Sequence, residues 1–519
     1  MLLGLVVFLT GAASAFEPIH LKSTDFIIAT GQPTLLTWPV STWHVPVWSL
    51  SGGTVGQSVA AVTPPLPQDC AGVRVELLVA NQEAPASAGL SDVFRTHLSQ
   101  IAPGETLAWQ GVVGTPVTTP LAEGANQVRS IVTESYRRVV GGRPLVVRVQ
   151  REPGDPNDTF TRPDGLVEVL VTPLKAPPKT LTVEDSPGYN SWPMIQALGN
   201  KLVCAYSRGS GHSIGEGKRA VFARTSSDGG KTWTVETLVA DDPASGEVTI
   251  GKGLDANGAM LLWIRCWGGQ SRHELYRTTD GVRFEKISTP QLSPLPMQIT
   301  DVFATDEGLM CLWFATDYSK PESNAWGTLV STDNGVTWTQ RTVECGMDVG
   351  ELPTEPSALA LGDGRILVIA RTESGGTANY TQFQITSTDW GKTWTKTRTN
   401  IRDVSASTPS LVYDRDSGLV YNYYYQRGRC VLKRRVAKVD AIFDRPLAWP
   451  EAEAVAFADE DRSYDAGNVN ATTIGKAHYL AFYHGTRTQT AVVVATARAL
   501  THDTRKPEAP RAGLPQKLR

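Results

Sequence analysis

One short turn motif recurs along the second half of this chain at nearly constant spacing, and that repetition narrows the architectures open to it. Ser226–Trp233 reads SSDGGKTW, Ser331–Trp338 reads STDNGVTW and Ser387–Trp394 reads STDWGKTW, so all three fit S-x-D-x-G-x-x-W. A shortened copy, TTDGVRF, begins at Thr278. The start positions 226, 278, 331 and 387 lie 52, 53 and 56 residues apart, the size of a four-stranded propeller blade. Each copy follows a strand-like run: AVFARTS, HELYRTT, GTLVSTD and QFQITST. The motif's physics is local. Asp and Gly make a tight turn in which the side chain bonds its own backbone, and the Trp folds back between neighbouring strands as an apolar plug. The motif therefore marks a fold and not a reaction centre.

Six strand–turn–strand pairs accompany these turns. They read SWPMIQALGNKLVCAYS, EVTIGKGLDANGAMLLWIR, MQITDVFATDEGLMCLWFA, TEPSALALGDGRILVIAR, TPSLVYDRDSGLVYNYYY and NVNATTIGKAHYLAFYH. Six units predict a closed six-bladed ring over residues 183–500. Closure removes exposed strand edges, which lets a long all-β chain stay soluble.

The remaining sequence predicts a second domain. A Pro/Lys-rich stretch, TPLKAPPKTLT at 172–182, ends a region of alternating strands such as VRVELLVA and PLVVRVQ. That region, 16–175, is expected to be a β-sandwich accessory domain. Met1–Ala15 has an apolar run followed by AASA, the pattern of a secretory signal peptide and too short to span a bilayer. A secreted location follows as an expectation. Residues 501–519, rich in Pro, Lys and Arg, are expected to be a loose tail. A net charge of −3 gives no general attraction to nucleic acid or anionic membrane, and no later segment reads as a membrane span. The six cysteines are far apart, with no metal-ligand spacing, and read as small buried hydrophobes or disulfide partners, the former favoured.

On these motifs the chain resembles the sialidase (neuraminidase) superfamily of Asp-box, or BNR-repeat, propellers. The resemblance covers residues 185–500 and implies an all-β fold class: a six-bladed, sialidase-like β-propeller preceded by an N-terminal β-sandwich. It also implies a chemistry. Three arginines fix the carboxylate of sialic acid, a Glu activates a Tyr nucleophile, and an Asp moves a proton across the bond. In blade 4, Glu355 stands where the family has its Glu, and Arg371, sixteen residues on, matches the second carboxylate-binding arginine. In blade 5, Arg429 fits the third, with Arg427 its alternative, and Tyr423, Tyr424 and Tyr425 sit in the same segment.

Two blades depart from the family pattern. In blade 1, Ser191 replaces the first arginine, and the loop from Arg208 to Arg219 offers Glu216 as its carboxylate, with Arg208 and His212 as substitutes for missing groups. In blade 6, Asn468 falls where the nucleophilic Tyr is expected, with Tyr464 and Asp465 just upstream. The resemblance implies a sialidase-type hydrolase acting on a glycan or polysaccharide, with no cofactor, and no EF-hand-type loop suggests Ca²⁺. Two alternatives stay open. One is another glycan-active enzyme, such as a uronate lyase with His212 or a Tyr as base. The other is a non-catalytic glycan-binding or adhesion protein. Product chemistry separates them: free sialic acid, an unsaturated uronate, or binding without turnover.

Overall fold

The computed structural model describes residues 16–40, 43–50, 57–81, 91–100, 117–120, 127–133, 139–151, 164–175, 180–212, 218–317, 320–372, 381–401, 404, 407–426, 431–457 and 467–500. The expected signal peptide and tail lie outside them. The chain divides into two compact units, Met1–Pro177 and Pro178–Arg519. Among the described residues both are β-structures, and the α-helix amounts to a single turn, Val439–Ile442.

The first unit holds two antiparallel sheets. One runs Thr34–Val40, Trp43–Leu50, Asp164–Lys175, Cys70–Asn81, Gln127–Thr133, with Ile19–Lys22 also pairing with Asp164–Lys175. The other runs Ile27–Thr30, Ser58–Val62, Leu145–Arg151, Ser91–Gln100, Val117–Pro120. Successive side chains of a strand point to opposite faces. Thus Val73, Val75 and Leu77 meet Val59, Val147 and Val149 in one buried core between the sheets.

The second unit is a ring of six antiparallel blades. Blade 1 runs Tyr189–Leu198, Lys201–Gly209, Ala220–Ser226, Thr237–Ala240, and blade 2 runs Gly246–Leu254, Met260–Trp267, Arg272–Thr278, Glu285–Ser288. Blade 3 has a split first strand, Gln298–Ile299 and Phe303–Thr305, then Gly308–Ala315, Ala325–Ser331, Thr339–Cys345. Blade 4 is Pro353–Gly362, Arg365–Thr372, Phe383–Ser387, Thr395–Arg398, and blade 5 is Pro409–Asp414, Leu419–Gln426, Val431–Lys438, Glu453–Phe457. Blade 6 is Gly467–Ile474, Ala477–Gly485, Thr490–Arg498, and its fourth strand is Leu181–Glu184, which precedes blade 1 in the chain.

The repeated motif joins the third and fourth strands. In blade 1 the Asp228 carboxylate accepts hydrogen bonds from the backbone of Lys231 and Thr232 (3.0 Å each) and from the Thr232 hydroxyl (2.6 Å), while the Gly230 amide donates to Ser226 Oγ (2.8 Å). These bonds, led by the Thr232 hydroxyl, hold the Asp228 pKa down at about 2. Asp333 and Asp389 repeat the arrangement. The motif's Trp reaches further than its own hairpin. Trp338 of blade 3 packs 5.3 Å from Trp263 of blade 2, and Trp394 of blade 4 packs 6.0 Å from Trp326 of blade 3.

The first strands bind one another around the axis. The Thr249 hydroxyl donates to Trp192 O (blades 2 and 1), the Leu411 amide to Ser357 Oγ (blades 5 and 4), the Ala471 amide to Ser410 Oγ (blades 6 and 5), and the Ile195 amide to Asn470 Oδ1 (blades 1 and 6). Between blades 2 and 3 the contact is backbone on backbone, with Val302 N donating to Lys252 O. Gly251 and Gly253 permit it, since a Cβ at either would run into the carbonyl oxygens of Thr300 and Val302.

A charged cluster fastens the ring where blade 6 meets blade 1. Glu184, on the closing strand, is buried and accepts from Ser186 N (2.6 Å) and Arg224 Nη2 (2.6 Å), with Arg208 Nη2 at 3.1 Å. The Tyr206 hydroxyl lies 2.9 Å from Glu184 and 2.5 Å from Glu236. Burial by itself would raise the Glu184 pKa, but the bonds from Ser186, Arg224 and Tyr206 outweigh it and hold it at about 2, against an ordinary 4.5. A depressed carboxyl stabilises the fold above its unfolded value, and this stability is lost as pH falls through the folded value. Glu184→Gln should therefore cost about 3 kcal/mol at neutral pH, as for a broken buried ion pair. In denaturant titrations the gap between wild type and variant should close as the pH drops from 4.5 to about 2.

Candidate functional site

A cavity of about 470 Å³ lies where the first strands of the six blades converge. Its shape follows from a repeated backbone device. In blades 1, 4 and 6 the register between first and second strands shifts between Ser191 and Met194, Thr354 and Ser357, and Gly467 and Asn470. Such bulges re-aim side chains. At each one a non-glycine residue takes a left-handed backbone: Trp192 (φ 50°), Glu355 (φ 43°) and Asn468 (φ 38°). All three line the cavity. Each such conformation costs on the order of 1 kcal/mol or more and persists only where the surroundings enforce it.

Glu355 is the centre of the polar wall. Its Oε2 accepts from Arg371 Nη1 at 2.5 Å, and the Thr408 hydroxyl lies 3.0 Å from the same oxygen and 3.0 Å from Asn468 Oδ1. The side chains of Arg371 and Glu355 are 14% and 16% exposed, so the pair is shielded from bulk water yet open to a ligand. Arg371 pairs in register with Thr354, the residue before the bulge. Blades 4, 5 and 6 thus supply one connected group: Arg371, Glu355, Thr408 and Asn468.

The other blades complete the lining. Blade 1 contributes Trp192 and His212, 5.7 Å apart from ring centre to ring centre, and Trp192 is backed at 6.3 Å by the buried Tyr483 of blade 6. Blade 2 contributes Arg265, whose guanidinium lies 4.0 Å from the centre of the Trp267 ring. Blade 3 contributes Asp301, 3.5 Å from Lys252 Nζ, and that ammonium also donates to Ala471 O across the channel (2.9 Å).

Of the residues singled out in the sequence, the cavity brings together Glu355, Arg371, His212 and Asn468. Arg208 stands elsewhere. It serves the closing cluster, bonded to Glu236 (2.6 Å) and Asn190 (2.7 Å) and placed over the Phe222 ring, because its strand position faces the outer side of blade 1. Tyr425 is not in the lining either. It is fully buried in the core of blades 5 and 6, 5.6 Å from Phe482. Tyr423 and Tyr424 are buried too, bonded to His478 and Arg435. Ser191 accepts a hydrogen bond from Arg219 Nη1 (3.2 Å). Glu216, Arg427, Arg429, Tyr464 and Asp465 lie outside the described residues.

Sequence reasoning missed Trp192, Thr408, Asp301 and Arg265. A signal for Arg265 existed: LLWIRC in blade 2 repeats the pattern of LVIART in blade 4, with arginine at the same place. No comparable signal marks Asp301, which depends on the break in the first strand of blade 3. The left-handed backbone at Asn468 can be tested directly. Asn468→Gly should hold or raise the melting temperature, because glycine relieves a strain of about 1 kcal/mol. Asn468→Val should lower it, since β-branched residues tolerate this region worst.

Residues 279–499 match the family model of the BNR repeat-like domain. No curated protein matches the chain. Among solved structures, the fold is similar to a protein of unknown function from Dyadobacter fermentans, at 16% identity and a TM-score of 0.50 over 62% of this chain and 99% of that one. It is also similar to a point mutant of NanB sialidase from Streptococcus pneumoniae, at 12% identity and a TM-score of 0.48 over 82% and 95%. A third is the α-L-arabinofuranosidase Arb93A from Fusarium graminearum, at 13% identity and a TM-score of 0.46 over 62% and 98%. At such identities the likeness concerns fold. Residues 279–499 thus carry a BNR repeat-like domain, set within a ring of six antiparallel blades.

Proposed function

We propose that this protein is a glycoside hydrolase of the sialidase type, which releases a terminal acidic sugar, sialic acid above all, from a glycan. The observation that supports it most is the Glu355–Arg371 pair, shielded at 2.5 Å in the central cavity beside Thr408 and Asn468. Arg371 balances the Glu355 charge and presents further N–H groups to a sugar carboxylate, a geometry guanidinium suits. Glu355 takes a proton from the attacking group. Asn468 fills the place where a tyrosine was expected, and with Thr408 and Glu355 it forms a polar cradle fit for an attacking water. His212, on blade 1 across the ring from blade 4, is a group in the lining that can return a proton to the leaving oxygen. Trp192 beside it offers an aromatic face for the sugar ring. A glycan outside the cell would suit the leader expected at Met1–Ala15.

Glu355→Gln should lower kcat by about 10²–10⁴, the range for loss of a general base, with the melting temperature preserved. Arg371→Ala should weaken binding of the acidic sugar by roughly 2–5 kcal/mol. Release of sialic acid from an aryl sialoside is the measurement. Tyr464→Phe decides the nucleophile: turnover survives if water attacks and collapses if the Tyr464 phenol does. A second reading, β-elimination from a uronate polymer, draws on His212 in the cavity wall as base. An unsaturated uronate product, with no sialic acid released, would replace the hydrolase reading with that one.

A further inference from the structure

We propose that Arg265 is a second substrate-binding guanidinium of this cavity, which joins Arg371 on the carboxylate of the sugar and sets the preference for an acidic over a neutral one. This rests on the reading of the cavity as a sugar-acid site. It places a cation on blade 2, where sequence reasoning expected none.

Register is the first argument. Arg265 pairs with Val248, and the shift in blade 2 follows between Thr249 and Gly251. Arg371 pairs with Thr354, and the shift in blade 4 follows between Thr354 and Ser357. The two arginines therefore occupy the same slot of two equivalent blades, at the same height along the axis. They enter one cavity from walls two blades apart. A ligand group that reaches the level of Arg371 is at the level of Arg265 too.

The setting of Arg265 is the second argument. The residue is only 5% exposed, its guanidinium lies 4.0 Å from the centre of the Trp267 ring, and its Nη1 is 2.6 Å from Met297 Sδ. A guanidinium carries five N–H donors in a planar fork that matches the geometry of a carboxylate. A guanidinium withdrawn from water at a cavity wall gains most when an anion docks on it, because the dehydration cost has already been met in the fold.

His273 backs this arrangement. It pairs in register with Arg265 and shares its face of the sheet. It is fully buried, and its ring nitrogens make no hydrogen bond among the described residues. Burial first, and then the Arg265 charge, push its pKa down to about 3. The imidazole thus stays neutral at working pH, and the positive charge presented here is the guanidinium's own.

The test uses the whole chain with N-acetylneuraminic acid, glucuronic acid and the methyl ester of each as calorimetric probes, plus turnover of an aryl sialoside. Wild type should bind an acid at least about tenfold more tightly than its ester, the scale of one charge-assisted contact. Arg265→Ala should weaken acid binding about tenfold or more and cut the acid-over-ester preference to the part Arg371 alone supplies, raising KM more than it lowers kcat. Arg265→Lys should recover part of the preference, as a point charge without the planar fork. Should the alanine variant fail to fold, Arg265→Gln, close in size, gives the same readout. Acid binding within twofold of wild type with the preference intact, in a folded variant, overturns the proposal. Wild type that binds neither sugar acid overturns it as well. Binding of an acid that depends on Arg265, without sialoside turnover, leaves Arg265 standing and removes the hydrolase reading instead.

Discussion

The ring depends on one non-local pairing. Blade 6 is complete only because Leu181–Glu184, the strand before blade 1, pairs with Thr490–Arg498. Without it two edges would lie open, one on each side of the seam, and open edges recruit foreign strands. The seam is fastened by the Glu184 cluster, in which two carboxylates, two guanidinium groups and a phenol satisfy one another. Once the seam holds, the first strands are pressed together at the axis, and the side-chain bonds of Thr249, Ser357, Ser410 and Asn470 can form.

The cavity is a product of that convergence and of imperfections in the strands that make it. Regular strands would send alternate side chains into the interfaces between blades. The shifts in blades 1, 4 and 6 turn Trp192, Glu355 and Asn468 inward instead. One device, placed in three blades, thus delivers an aromatic face, a carboxylate and an amide to a common space. Rigid strands beneath hold them, so little ordering remains for a ligand to impose.

The sequence showed the fold more clearly than the site, for a physical reason. Asp-box turns are short-range objects, and Ser226, Asp228, Gly230 and Thr232 satisfy each other within one turn. Short-range chemistry is written in short strings. Glu355 and Arg371 were legible for a related reason, since they sit on two paired strands joined by a tight turn. Arg208 misled because a residue near a loop was assumed to face the axis, whereas its strand turns it toward Phe222 and Glu236. Tyr425 misled in the same way, since its side chain alternates into the interface of blades 5 and 6. Asp301 was illegible because its position arises from blade 3 bending to meet Gly251 and Gly253 of blade 2, a contact between distant residues.

The Asp-box turns also bear on the order in which the chain acquires its structure. Their bonds close loops of only a few residues, so the entropy lost in forming them is small. The seam joins residues roughly 300 positions apart, and contacts of that separation are slow to find. Between these extremes the Trp plugs act at an intermediate range, since Trp338 can dock on Trp263 as soon as two consecutive blades exist. The chain is thus arranged as a ladder of rising separation: turn, hairpin, neighbouring blade, ring. Each rung leaves less disorder for the next to remove, and the slow final closure is left to a nearly assembled arc instead of an open coil.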